Sequence, residues 1–153
     1  MVYLNFWLER GGVDPTAVTR LLVDDDPAAP AASQDVVAEL QALMPAAAVA
    51  RATAGDAVGR AGDLVVVVFA APFHAPLDDV IYDHLDRLEA LLPRLGAGGH
   101  VLLYRVWWRE AEALAVEALP ARLRRLRRER LIIRLLRRVQ AHRWLLRPRF
   151  LGN

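Results

Sequence analysis

At 153 residues the chain is long enough for one domain with a proper core, since a chain of this size buries roughly two thirds of its unfolded surface. It has no Cys, which excludes a disulfide framework, a thiolate nucleophile and a Cys-ligated metal site. All 20 basic residues are Arg, a bias that matches a GC-rich genome as well as a design for guanidinium chemistry, and the net charge of +2 hides two opposite halves. Residues 1–100 carry 6 Arg against 14 Asp and Glu, a net of −8, and residues 101–153 carry 14 Arg against 4 Glu, a net of +10. Such an asymmetry marks an acidic body followed by a basic arm.

In chain order, VYLNFWL alternates Val2, Leu4, Phe6 and Leu8 with Tyr3, Asn5 and Trp7, the period of a strand. Gly11-Gly12 ends it, and Asp14-Pro15 supplies a cap and a first-turn proline for a short helix, TAVTRLL. Asp24 to Ser33 reads as a polar, proline-rich loop, with Ser33 capping a helix whose Val36, Val37, Leu40, Leu43 and Met44 form a buried face. A short strand is expected around Ala48 to Thr53. Leu64 to Phe69, LVVVVF, does not alternate and reads as a central strand covered on both faces. From Asp78 or Asp79, Ile81, Leu85, Leu88, Leu92 and Leu95 step by four and three along one amphipathic helix, which Gly96 to Gly99 end. VLLYRVWW, from Val101 to Trp108, is the last strand.

This β-α-β-β-α-β order predicts an α+β fold of ferredoxin-like plan, with two helices on one face of an antiparallel sheet, over residues 1–109. The other face would then carry Tyr3, Trp7 or their neighbours and, unless the arm covers it, would be a contact surface. The longest apolar run, LVVVVFAAPF, is about half the ~20 residues of a membrane-spanning helix, and MVYLNFWLERGG lacks the marks of a signal peptide, so a soluble, cytoplasmic protein is expected.

The arm, 110–153, reads as helical. Glu110 to Leu119 places its acids in a first turn, and Pro120 kinks this helix or starts another. On a helical wheel Leu119, Leu123 and Leu126 share one face. Leu131, Ile132, Leu135, Leu136, Val139 and Leu146 share another, nearly half a turn away, so one continuous helix would meet two different surroundings. Opposite the second stripe stand Arg127, Arg130, Arg134, Arg137 and Arg138. Four readings fit: a solvated face whose Arg stems shield apolar surface, an acidic protein partner or a second copy of the chain, nucleic acid bound through its phosphates, and a membrane interface anchored by Trp144 and Phe150. The acidic body would repel a nucleic acid or an anionic bilayer beyond the arm.

Catalytic patterns are weak. His74, Asp78, Asp79, Asp83 and His84 fall close together, but acids in a first turn serve the helix dipole, and a metal site there is disfavoured. Asp24-Asp25-Asp26 lacks the ligand spacing of an EF-hand. Gly96 to Gly99 follow a helix and precede a strand, the reverse of a phosphate-cradling loop. Ser33 is the single serine and has no G-x-S-x-G around it. The sequence therefore predicts a non-enzymatic protein-interaction or assembly module without metal or cofactor and with no evident small-molecule substrate. Arg127, Arg130, Arg134, Arg137 and Arg138 would supply its charge, and Leu131, Leu135 and Val139 its apolar contact. Nucleic-acid binding by the same arginines is the alternative.

Overall fold

The computed structural model describes residues 2–52, 57–70, 75–106 and 110–145. They form a mixed α+β protein with a five-stranded sheet and a long C-terminal helix. In chain order the elements are α1 (Val2–Arg10), β1 (Arg20–Asp24), α2 (Gln34–Leu43), β2 (Ala48–Arg51), β3 (Asp63–Phe69), α3 (Leu77–Asp83), α4 (Leu85–Leu91), β4 (His100–Arg105), β5 (Glu110–Ala115) and α5 (Leu119–Leu145). By compactness the chain divides into two units, 1–120 and 121–153.

The strand order is β2-β1-β3-β4-β5, with β2, β1, β3 and β4 parallel and β5 antiparallel to β4. This differs from the antiparallel sheet of the ferredoxin-like plan. The reason lies in β3: every residue of DLVVVVF is buried, so both faces of the sheet must be covered, the condition under which parallel sheets form. The crossovers β1-α2-β2 and β3-α3-α4-β4 run in opposite directions from the central β1/β3 pair. Because such crossovers are right-handed, they deliver their helices to opposite faces.

On one face Leu4 and Leu8 of α1 and Val36 and Leu40 of α2 pack with Leu21, Val23, Leu64, Val66, Val68, Leu102 and Ala113 of the sheet. The alternate residues Leu22, Val65, Val67, Phe69 and Leu103 point to the other face and are equally buried. There Phe69 meets His84 at the α3–α4 junction, with ring centroids 5.1 Å apart.

Four local expectations are corrected. VYLNFWL is a helix, because Leu4 and Leu8, four apart, are buried, whereas Tyr3 and Phe6 stay exposed. Its nearly continuous apolar character satisfied either period, and the decisive signal was the Gly11-Gly12 pair. Val13 N–H donates to Leu8 C=O at 2.9 Å and Gly12 N–H to Glu9 C=O at 3.0 Å, with Gly12 at φ 74°, the Schellman termination of a helix. TAVTRLL contributes only a 3₁₀ turn, Pro15–Ala17, capped by Asp14 accepting from Thr16 N–H at 3.0 Å. Its leucines belong to β1, where Leu21 and Leu22 are covered on opposite faces.

EAEALA is strand β5, not helix: Ala111 and Ala113 are buried and alternate with Glu110 and Glu112, which keep an edge strand charged. The 78–95 helix is two helices broken at His84, whose ring turns inward over Phe69. Strand β4 is observed to Arg105; Trp107 and Trp108 lie outside the described residues.

Candidate functional site

α5 is the element on which the sequence reading rests. Proline at its second position costs nothing there, because the first-turn N–H groups have no partner within the helix. Leu119, Leu123 and Leu126 are buried, whereas Leu131, Ile132, Leu135, Leu136 and Val139 are 57, 49, 51, 57 and 55 % exposed. The change falls where the wheel places the switch in stripe. At 100° per residue the exposed group spans an arc of about 140°, and Arg127, Arg130, Arg134, Arg137 and Arg138 occupy the opposite side. Arg125 lies 3.9 Å from Glu129 one turn on, and Glu129 is the single acid of residues 121–153, which carry 12 Arg for a net of +11. Residues 1–120, with 8 Arg against 17 acids, carry −9. The side chain of Trp144 and all of Leu146 and Phe150 lie outside the described residues.

A second apolar surface lies on α1. Phe6 and Tyr3 are 51 and 41 % exposed, and their rings meet Trp7 edge-on, with centroids 5.3 and 6.0 Å away. Arg10 lies over the Trp7 ring at 5.8 Å. Trp7 and Arg10 also line a cleft of about 470 Å³ whose other walls include Asp78, Glu110 and Glu112. Among the described residues the buried Trp7 indole N–H has no hydrogen-bond acceptor. Gly11 seats α1 on β5 so closely that a Cβ would stand 2.3 Å from Ala113 O. The expectation of an aromatic contact surface at Tyr3 and Trp7 thus finds its rings on a helix rather than on a sheet face.

The carboxyl ends of β1 and β3, where the crossovers diverge, hold a polar network in the segment expected as a polar, proline-rich loop. Asp24, Asp25 and Asp26 all have partners. Arg87 of α4 donates to Asp24 O at 2.7 Å, to Asp24 Oδ2 at 3.2 Å and to Val68 O at 2.8 Å, and stacks on Phe69 at 5.3 Å. Asp25 pairs with Arg51 and accepts from the Ser33 hydroxyl. Asp26, 2 % exposed, accepts from Ala28 N–H at 2.9 Å and Ala70 N–H at 2.8 Å, with His84 Nε2 3.6 Å away. This network holds three parallel strands and α4 together. Its signal in the sequence was an apolar strand, RLLVD, running directly into acids, with Arg87 on the inner face of an otherwise acid-faced helix.

At the opposite end of the sheet Arg20 grips Asp63 with two hydrogen bonds of 2.9 and 2.7 Å, and Arg60 N–H adds a third at 3.1 Å. Burial works against the Asp63 charge, but these bonds and the Arg20 cation outweigh it and hold the carboxyl below its ordinary range.

The catalytic candidates disperse. His84 directs Nδ1 to Val80 O at 2.9 Å, His74 lies outside the described residues, and among the described residues no three His, Asp or Glu side chains converge as a metal site would require. Ser33 is buried against Asp25 and makes no capping bond to α2. Gly98 and Gly99 form a turn tied to Glu117 and Gly59, with Gly98 N–H donating to Glu117 Oε1 at 2.6 Å. The Glu117 backbone N–H, and after it that bond, hold the Glu117 carboxyl below its ordinary range.

The fold defines a doubly wound sheet with helices on both faces, a reversed edge strand and a C-terminal helix that carries exposed apolar and basic faces. No family model, curated protein or solved structure compared with the chain gave a significant match. No helix among the described residues is long and apolar enough to cross a membrane.

Proposed function

We propose that the chain is a non-enzymatic interaction module that docks a protein partner through the distal part of α5. The observation that carries this reading is the exposure of Leu131, Ile132, Leu135, Leu136 and Val139 on a helix whose earlier leucines are buried. A solvated helix gains nothing from five half-exposed aliphatic side chains on one arc, whereas an amphipathic helix laid into an apolar groove buries such an arc. Arg127, Arg130, Arg134, Arg137 and Arg138 select an acidic rim around that groove and accelerate encounter. In this reading the body is a scaffold: its polar networks are internally paired, and its role is to present the helix.

The second reading is binding of nucleic acid through the same arginines, favoured by the clustering of basic charge in residues 121–153. The two differ in which face of α5 matters. Phosphate binding depends on the arginines, ignores the stripe and falls steeply with salt. The test is a titration of the full chain, a stripe variant (Leu131→Ser, Leu135→Ser, Val139→Ser) and an arginine variant (Arg134→Gln, Arg137→Gln, Arg138→Gln) into labelled duplex DNA and single-stranded RNA at near-physiological salt. The protein-docking reading expects no saturable binding. Saturable binding that survives in the stripe variant and disappears in the arginine variant would overturn it.

A further inference from the structure

Outside α5, the described residues expose large apolar side chains at Tyr3, Phe6 and Val49. Tyr3 and Phe6 form one face of α1, one turn apart, with Trp7 packed edge-on beside them. Trp, Tyr and Arg are the residue types most concentrated at the energetic centres of protein interfaces, and here Tyr3, Trp7 and Arg10 adjoin on a single short helix.

The charges around the two apolar surfaces are opposite. Glu9 follows Phe6 by one helical turn, and the neighbouring cleft is lined by Arg10 and by Asp78, Glu110 and Glu112, of which Glu110 also pairs with Arg105 at 3.2 Å. The α5 stripe is backed by arginines. An apolar patch with an acidic border and an apolar stripe with a basic flank are complements, and both occur on this one chain.

We infer that the partner of α5 is a second copy of this chain, whose α1 aromatic face and acidic border receive Leu131, Leu135, Leu136 and Val139. This rests on the protein-docking reading and names its partner. The alternative self-association, α5 against α5, brings two regions of net +11 together, whereas α5 against the acidic body pairs +11 with −9. Two copies exchanging helices about a two-fold axis satisfy both surfaces of each, and a closed exchange leaves no surface to propagate a filament.

The test is sedimentation velocity of the full chain over a concentration series. It includes an α5 variant (Leu135→Ser, Val139→Ser), an α1 variant (Tyr3→Ser, Phe6→Ser) and their equimolar mixture. Both pairs of substitutions are at exposed positions, and circular dichroism checks that the variants fold. The expected result is a two-chain species for the parent, a single chain for each variant, and recovery of a two-chain species in the mixture, where the intact α5 of one variant meets the intact α1 of the other.

Salt gives a second reading that needs no substitution. Assembly of unlike charges weakens as salt rises, and assembly of like charges strengthens. A parent that remains a single chain, a mixture that fails to recover, or assembly that strengthens with salt would each overturn the inference. An α1 variant that assembles as the parent does, beside an α5 variant that does not, would overturn this pairing and leave the protein-docking reading standing. Failure of that reading is seen separately, in the nucleic-acid titration.

Discussion

Arg87 is the residue whose removal tests the account of the sheet most sharply. Its guanidinium joins the ends of β1 and β3 by donating to Asp24 O, Asp24 Oδ2 and Val68 O, and it lies over Phe69 with 15 % side-chain exposure. Hydrogen bonds from a charged donor contribute roughly 1.5–3 kcal/mol each, and breaking a buried pair costs about 3–5 kcal/mol. These terms overlap, and Asp24, 27 % exposed, regains water when the arginine is gone. Arg87→Ala is therefore expected to destabilise the fold by about 3 kcal/mol, toward the lower end of the buried-pair range. For a protein of this size that lowers Tm by about 10 °C. Arg87→Lys keeps the cation but cannot reach three divergent acceptors, so it should lose about half as much. Urea unfolding followed by circular dichroism gives both values, provided that the denaturant slope is unchanged. A loss below about 1 kcal/mol for Arg87→Ala would mean that the network is solvated after all, within the range of surface pairs.

At the other end of the sheet, Asp63→Asn should cost about 2 kcal/mol at neutral pH, discounted because Arg20 is 39 % exposed. The Asp63 pKa is lowered on folding, so its stabilisation is present above the unfolded carboxyl value and lost as pH falls through the folded value; the gap between parent and variant should close below about pH 4. Gly11→Ala should be worse than Gly12→Ala in thermal unfolding, about 3 against about 1 kcal/mol. A Cβ at Gly11 meets the β5 backbone, whereas Gly12 has open space and only its positive φ to lose. Leu135→Ser with Val139→Ser should leave the stability of the single chain, compared at a concentration too low for assembly, within about 0.5 kcal/mol of the parent, because both side chains are more than half exposed.

The parts of the fold that the sequence revealed are those in which one period was unambiguous. LVVVVF announced a doubly covered strand, and QDVVAELQALM announced a helix whose Val36 and Leu40 are buried. The parts it concealed are those in which composition satisfied two periods at once. VYLNFWL is apolar at nearly every position, so alternation and helical spacing both fitted. EAEALA is built of good helix formers, but in the fold Ala111 and Ala113 pack against the core as an edge strand, and tertiary burial overrode propensity.

Misreading these two segments, and the leucines of TAVTRLL as helix rather than β1, produced an antiparallel plan where β2, β1, β3 and β4 are parallel. The switch of the apolar stripe near Arg128 to Arg130 was visible on a helical wheel, and the burial along α5 changes at the same place. The Asp24 to Asp26 network was concealed because its partners, Arg51, His84 and Arg87, are 26 to 63 residues distant and meet the acids only through the crossovers.

The most direct test of the docking role is a photo-crosslinking amino acid at Gln140, beside Val139, in the full chain within the cells that make it. The account predicts an adduct to protein, of twice the chain mass if the partner is a second copy, that disappears when Leu131, Leu135 and Val139 are changed to serine. An adduct to nucleic acid, or a protein adduct indifferent to those three substitutions, would contradict it.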